Sequence, residues 1–139
     1  MKIPEFKVGT TSTVQKKVTE EDTAMLYGNG ALKKLLDTST TAKLVIQAAT
    51  KMIDPLLPEG LVSVGKSISI IHEEPAIIGM TVTVEAKLKE VDGNRLLFEF
   101  TLYDELGEIG RGLHERYIVK NELLENRAKS RLNILMGFN

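Results

Sequence analysis

Apolar residues change their spacing twice along this chain. From Ala42 they recur at a helical interval: Ala42, Val45, Ile46, Ala49, Met52 and Ile53 follow the i, i+3, i+4 rule. Leu44 and Ala48 widen that face, and only Lys43, Gln47, Thr50 and Lys51 interrupt it. The spacing predicts a helix buried on most sides. Asp37-Thr38-Ser39-Thr40-Thr41 precedes it. Such a cluster is a poor helix interior and a good entrance, because its side-chain oxygens can accept the unpaired first-turn amides. Asp54-Pro55 closes the helix, since the residue before proline avoids helical angles.

Beyond residue 60 the period becomes two. Residues 64–71 read as a strand. Met80, Val82, Val84, Ala86 and Leu88 then alternate with polar residues, as expected for a strand with one buried face. Asp92-Gly93 signals a hairpin, and Leu96, Phe98, Phe100 and Leu102 alternate in the return strand. After a second turn at residues 104–107, residues 108–120 form a further strand. Its alternation is blurred by Gly110, Gly112, His114 and Arg116, which predicts polar groups facing something other than bulk water. Residues 121–136 carry Leu124, Ala128, Arg131, Leu132 and Leu135 at helical spacing and read as an amphipathic helix. Toward the N-terminus, residues 10–18 suit a strand. Thr19 before Glu20, Glu21 and Asp22 starts a short helix. That helix stops at Tyr27-Gly28-Asn29-Gly30, and residues 31–36 look helical. The order gives one α+β domain over residues 1–139, an antiparallel sheet wrapped around a long central helix.

Composition narrows the chemistry. A length of 139 residues supports one core. Eighteen Lys and Arg against nineteen Asp and Glu leave a net charge of -1, which offers no one-signed field for nucleic acid or an anionic membrane. Cysteine is absent, so thiolate metal sites and cysteine nucleophiles are excluded. With two histidines, a zinc site would need carboxylates to complete it. Residues 1–9 lack the long apolar run of a signal peptide, and no segment approaches the ~20 apolar residues of a membrane span. A cytoplasmic protein is the expectation.

The strand sequences are more specific than their period. Three runs stand out: Ile78-Gly79-Met80-Thr81-Val82-Thr83-Val84, Val91-Asp92-Gly93-Asn94-Arg95, and Gly107-Glu108-Ile109-Gly110-Arg111-Gly112-Leu113-His114-Glu115-Arg116. With Ser63-Val64-Gly65 and His72 spaced before them, they resemble the fluoroacetyl-CoA thioesterase group of hotdog-fold proteins over roughly residues 31–120. The resemblance implies a hotdog fold, hydrolysis of acyl-CoA or another acyl thioester, and dimers whose pocket lies between subunits, with tetramers open. It implies no cofactor and no metal. In the group, the catalytic set is a threonine at the entrance of the central helix, a glutamate two turns on and a histidine on the next strand. These positions fall on Thr38, Ile46 and His72, so the acid is missing. Gln47 is adjacent, but one residue turns a helix by ~100°. The group's aromatic lid falls on Gly28-Asn29-Gly30, so selectivity for a fluorinated acyl group is not implied.

On this reading His72 activates water, Thr38 supports the thioester carbonyl with amides near Thr38 and Gly65, and Ser39, Gly65 and Arg116 contact substrate. Plainer roles stand beside these. Thr38 and Ser39 suit helix caps, Asp37 suits a cap or a partial stand-in for the glutamate, and His114 suits cross-strand pairing. Arg116 suits an ion pair with a carboxylate, including one across a subunit boundary. Lys33 and Lys34 suit either coenzyme A phosphates or a solvated surface. Ile46 also motivates a reading from another class, a non-catalytic acyl-CoA or small-ligand binding module. A hotdog dehydratase would place a histidine at the helix entrance, and none is there.

Overall fold

The computed structural model describes residues 1–26 and 28–137, and its five strands pair antiparallel in one sheet. The strands are β1 (Thr11–Lys17), β2 (Leu61–His72), β3 (Thr81–Asp92), β4 (Arg95–Asp104) and β5 (Gly107–Lys120), in the order β1-β3-β4-β5-β2. Helix α1 (Thr38–Ile53) lies against one face, and α2 (Asn121–Leu135) follows the last strand. The alternation sets this arrangement. Val82, Val84, Ala86 and Leu88 of β3 and Leu96, Phe98, Phe100 and Leu102 of β4 are buried, and so are Leu44, Val45, Ala48, Ala49 and Ile53 of α1. Each fully buried side chain of this size contributes about 1.5–3 kcal/mol of transfer free energy, so the wrapped helix is held by its sheet-facing side.

Two glycine positions depend on local chemistry. The β3–β4 hairpin closes through Gly93-Asn94, one residue later than the sequence suggests, with Asp92 paired to Arg95 and Gly93 at φ 59°. On β5, Gly112 is paired with Phe100, whose Cζ lies 2.7 Å from where a Gly112 Cβ would sit. The Phe100 ring therefore occupies the space a side chain on Gly112 would need.

Three expectations are corrected. Residues 20–26 form two 3-10 turns, Glu20–Asp22 and Ala24–Leu26, where one short helix is expected; Tyr27, at its expected stop, lies outside the described residues. Residues 31–36 are not helical. A segment this short does not nucleate a helix alone, and its backbone finds other partners: Ala24 N–H donates to Leu35 O, Leu36 N–H to Ala76 O and Ile78 N–H to Lys34 O. Finally, α1 is buried on one side only, for Ile46 is 38% exposed. Helix α2 forms as expected, but none of its residues is buried and its apolar stripe faces outward. No helix among the described residues is long and apolar enough to cross a membrane.

Candidate active site

The entrance of α1 is built by Asp37, not by the threonines. Its Oδ1 accepts the Thr40 N–H at 2.6 Å, which makes Asp37 the N-cap and Thr38 the first helical residue. The positive end of a 16-residue helix therefore begins at Thr38, whose side chain is exposed. Ser39 is half-buried and lines a recess of about 160 Å³ with Thr23, Asp37, Thr40 and Lys43.

The end of β2 lies beside this entrance. After His72, the Glu73 and Glu74 N–H groups donate to Ile109 O. The chain then runs past residues 34–36, with Leu35 bridged to Ile77 and Leu36 bonded to Ala76 O at 2.9 Å. His72 is exposed, yet the surrounding protein pulls its imidazole below the ordinary 6.5, while the Asp37 carboxylate pulls it back up. The ring is therefore largely neutral at pH 7, the state a general base requires. No hydrogen bond joins Thr38 to His72 among the described residues.

Ile46 stands two turns into α1, on the exposed flank that also carries Gln47. The expectation that Ile46 sits on a covered apolar face is thereby corrected. The buried face runs through Leu44, Val45, Ala48 and Ala49, and Ile46 lies beside it. An apolar side chain thus occupies open space where the resembling group has an acid.

A second polar group lies at the other end of β2. Gly65 pairs with Arg116 and stands seven residues before His72, ~23 Å along an extended strand. Gly65 and His72 of one chain therefore do not share a site. Arg116 is 5% exposed and, among the described residues, no carboxylate lies within salt-bridge range of it. Instead its Nη2 donates to Ser63 O at 2.7 Å, its Nε to Ser63 Oγ at 3.1 Å, and its Nη1 meets His114 Nε2 at 3.2 Å. Ser63 Oγ in turn donates to Asp54 Oδ1 at 2.6 Å. Burial pulls the Arg116 guanidinium down from its ordinary value, and Asp54 opposes the shift. Within one chain, the ion pair expected of Arg116 is thus replaced by a relay through a hydroxyl. Asp54 and Ser63 carry no sequence signal for this role, since Asp54 reads only as a helix end. The blurred alternation of β5 did signal its partners: Gly110, His114 and Arg116 all face the buried side.

Comparison with known proteins agrees with this fold. A family model described as fluoroacetyl-CoA-specific thioesterase matches residues 18–122. The fluoroacetyl-CoA thioesterase of Streptantibioticus cattleyicolor is 33% identical over 84 residues, which span 60% of this chain and 60% of that protein. A hot-dog-like protein from Thermanaerovibrio acidaminovorans superposes with a TM-score of 0.86 at 35% identity, covering 91% of this chain and 93% of its own. A variant of the fluoroacetyl-CoA-specific thioesterase, solved with fluoroacetate and CoA, gives 0.79 at 30% identity over 86% of this chain and 99% of its own.

Proposed function

Because this chain belongs to the fluoroacetyl-CoA-specific thioesterase family, we propose that it hydrolyses a small or medium acyl thioester of coenzyme A at the junction of α1 and β2. The observation that carries this reading is the ladder joining residues 34–36 to Ala76 and Ile77, which sets a helix N-terminus beside His72. His72 takes a proton from water as the oxygen attacks the thioester carbon. The Thr38 hydroxyl and the first-turn amides of α1 receive the negative charge that develops on the carbonyl oxygen. The C–S bond then breaks and the thiol leaves with a proton.

The site is completed by a second copy. β2 is an edge strand of 12 residues, and its Gly65, Lys66, Ser67, Ile68 and Ser69 are all exposed. Antiparallel pairing of two such edges about a midpoint between Ile68 and Ser69 sets Gly65 of one copy opposite His72 of the other. This homodimer brings Gly65, and Arg116 beneath it, to the acyl group, with Ser39 at the helix entrance. Ile46 favours a second reading, a pocket that binds acyl-CoA without turnover. A panel of acyl-CoA substrates, with thiol release measured beside thermal shift, separates the two. The expected result is hydrolysis that His72→Ala lowers by about 10²–10⁴-fold. Ligand-induced stabilisation without thiol release supports the binder, and an unchanged rate in His72→Ala removes His72 from the mechanism.

A further inference from the structure

The register between β2 and β5 breaks once, between Gly65 and Ser67, where Lys66 is the surplus residue. An extra residue in a strand bends it and leaves backbone groups that the ladder no longer fixes. Here two neighbouring side chains of β5 take the carbonyls on either side of the break. Arg116 Nη2 donates to Ser63 O at 2.7 Å, and His114 Nδ1 lies 2.8 Å from Ser67 O. The two side chains also touch each other, Arg116 Nη1 to His114 Nε2 at 3.2 Å. A Cβ on Gly65 would sit 3.5 Å from Arg116 Nη1 and 3.6 Å from His114 Cε1. The pair therefore lies directly beneath the Gly65 backbone.

Arg116 has only donors, so His114 Nε2 must accept and the proton must sit on Nδ1, where it is given to Ser67 O. One neutral tautomer satisfies both contacts. A charged ring would lose the acceptor and set two cations side by side at positions only 2% and 5% exposed. The groups around the ring are Arg116 on its own strand, Gly65 and Ser67 on β2, and the Phe98 ring on β4, with centroids 6.3 Å apart. The nearest acid on this path is Asp54, beyond Ser63.

We infer that His114 is a positioning residue: as the Nδ1–H tautomer it clamps Ser67 O and Arg116 together and so holds the Gly65 backbone in the orientation the acyl group meets. The inference rests on the thioester-hydrolysis reading above. His114 touches no substrate and moves no proton in the reaction.

The test joins kinetics to nitrogen-edited NMR of ring-labelled protein. In the unaltered protein the His114 ring shows a protonated Nδ1 and an unprotonated Nε2 at pH 7. His114→Gln, which keeps an acceptor toward Arg116 but no donor at Nδ1, lowers kcat by about 10–100-fold, the effect of a misplaced group, with KM little changed. His114→Asn restores an N–H at the Nδ1 position and recovers most of that loss. A proton on Nε2 overturns the inference, as does a folded His114→Gln with the original kcat. The NMR result stands even where His114→Gln does not fold. Unaltered protein that releases no thiol sinks this inference and the functional reading together. Turnover in the unaltered protein that is indifferent to His114 sinks this inference alone.

Discussion

The Asp37 carboxylate has two effects that one substitution separates. It caps α1 through the Thr40 N–H, and its charge raises the affinity of His72 for a proton. Asn caps a helix about as well as Asp, so Asp37→Asn keeps the entrance and removes only the charge. The His72 imidazole then titrates lower still, and the acid limb of kcat/KM moves to lower pH with little change in melting temperature. A pH–rate profile checks this; a limb that stays in place separates His72 from catalysis or Asp37 from His72. Ile46 offers the complementary change. Because it is 38% exposed, Ile46→Glu leaves stability within about 0.5 kcal/mol. It supplies the missing acid, so thiol release rises by about 10²-fold, the scale of one general acid or base. An unchanged rate, measured with the best substrate of the panel, shows that the acid is not what limits turnover. His72 entered as a candidate because its spacing from Gly65 and Gly79 is a sequence property. The hydroxyl relay of Arg116 was not, because Ser63 lies 53 residues away and serines carry no periodic signal.

Elements with a strong period formed where expected; of those read from composition, the strand at residues 10–18 formed as β1, whereas residues 20–26 gave two 3-10 turns and residues 31–36 no helix. β3 alternates from Thr81 to Leu88 and β4 from Arg95 to Leu102, and only one register fits the buried residues of both, so a slip of one residue would expose every buried side chain. Residues 31–36 have no such constraint; pairing with Thr23, Ala76 and Ile77 decided their shape. Neighbours distant in sequence fixed that segment, and a local pattern does not contain them. The sheet's two edges differ in the same physical way. β1 is short and carries Lys16 and Lys17, charges that discourage pairing, whereas β2 is long and presents Val62, Val64, Ile68 and Ile70 with a single lysine. Only β2 invites a second copy. Ser69 falls beside the proposed two-fold axis, opposite Ile68 of the other copy, so Ser69→Asp sets a charge against an apolar side chain across the strands and discourages the pairing. Sedimentation is expected to show folded monomers with little thioester hydrolysis. A Ser69→Asp monomer that remains fully active excludes a site shared between copies.

Acid acts on the whole molecule through three groups, and their signs agree. His72 and His114 both bind protons less readily in the folded chain than the ordinary 6.5, in each case chiefly because burial penalises the charged ring. Between 6.5 and those lowered values the unfolded chain holds more protons. Stability from both rings is therefore full above about pH 6.5 and declines as pH falls through the folded values. Asp22 behaves as a paired carboxylate. Burial raises its pKa, but the Thr19 N–H and Lys16 outweigh that and leave it below 3.8. Its contribution is present above pH 3.8 and is lost only as pH falls further. Unfolding midpoints in urea should thus fall in two steps, one beginning near pH 6.5 and one below pH 3.8. His72→Gln removes only the more exposed ring, so the first step shrinks but survives through His114. A midpoint that stays level from pH 7.5 to 5 means that the ring beside Arg116 is not held neutral by the fold. The clamp on β2 would then lack the acceptor it requires.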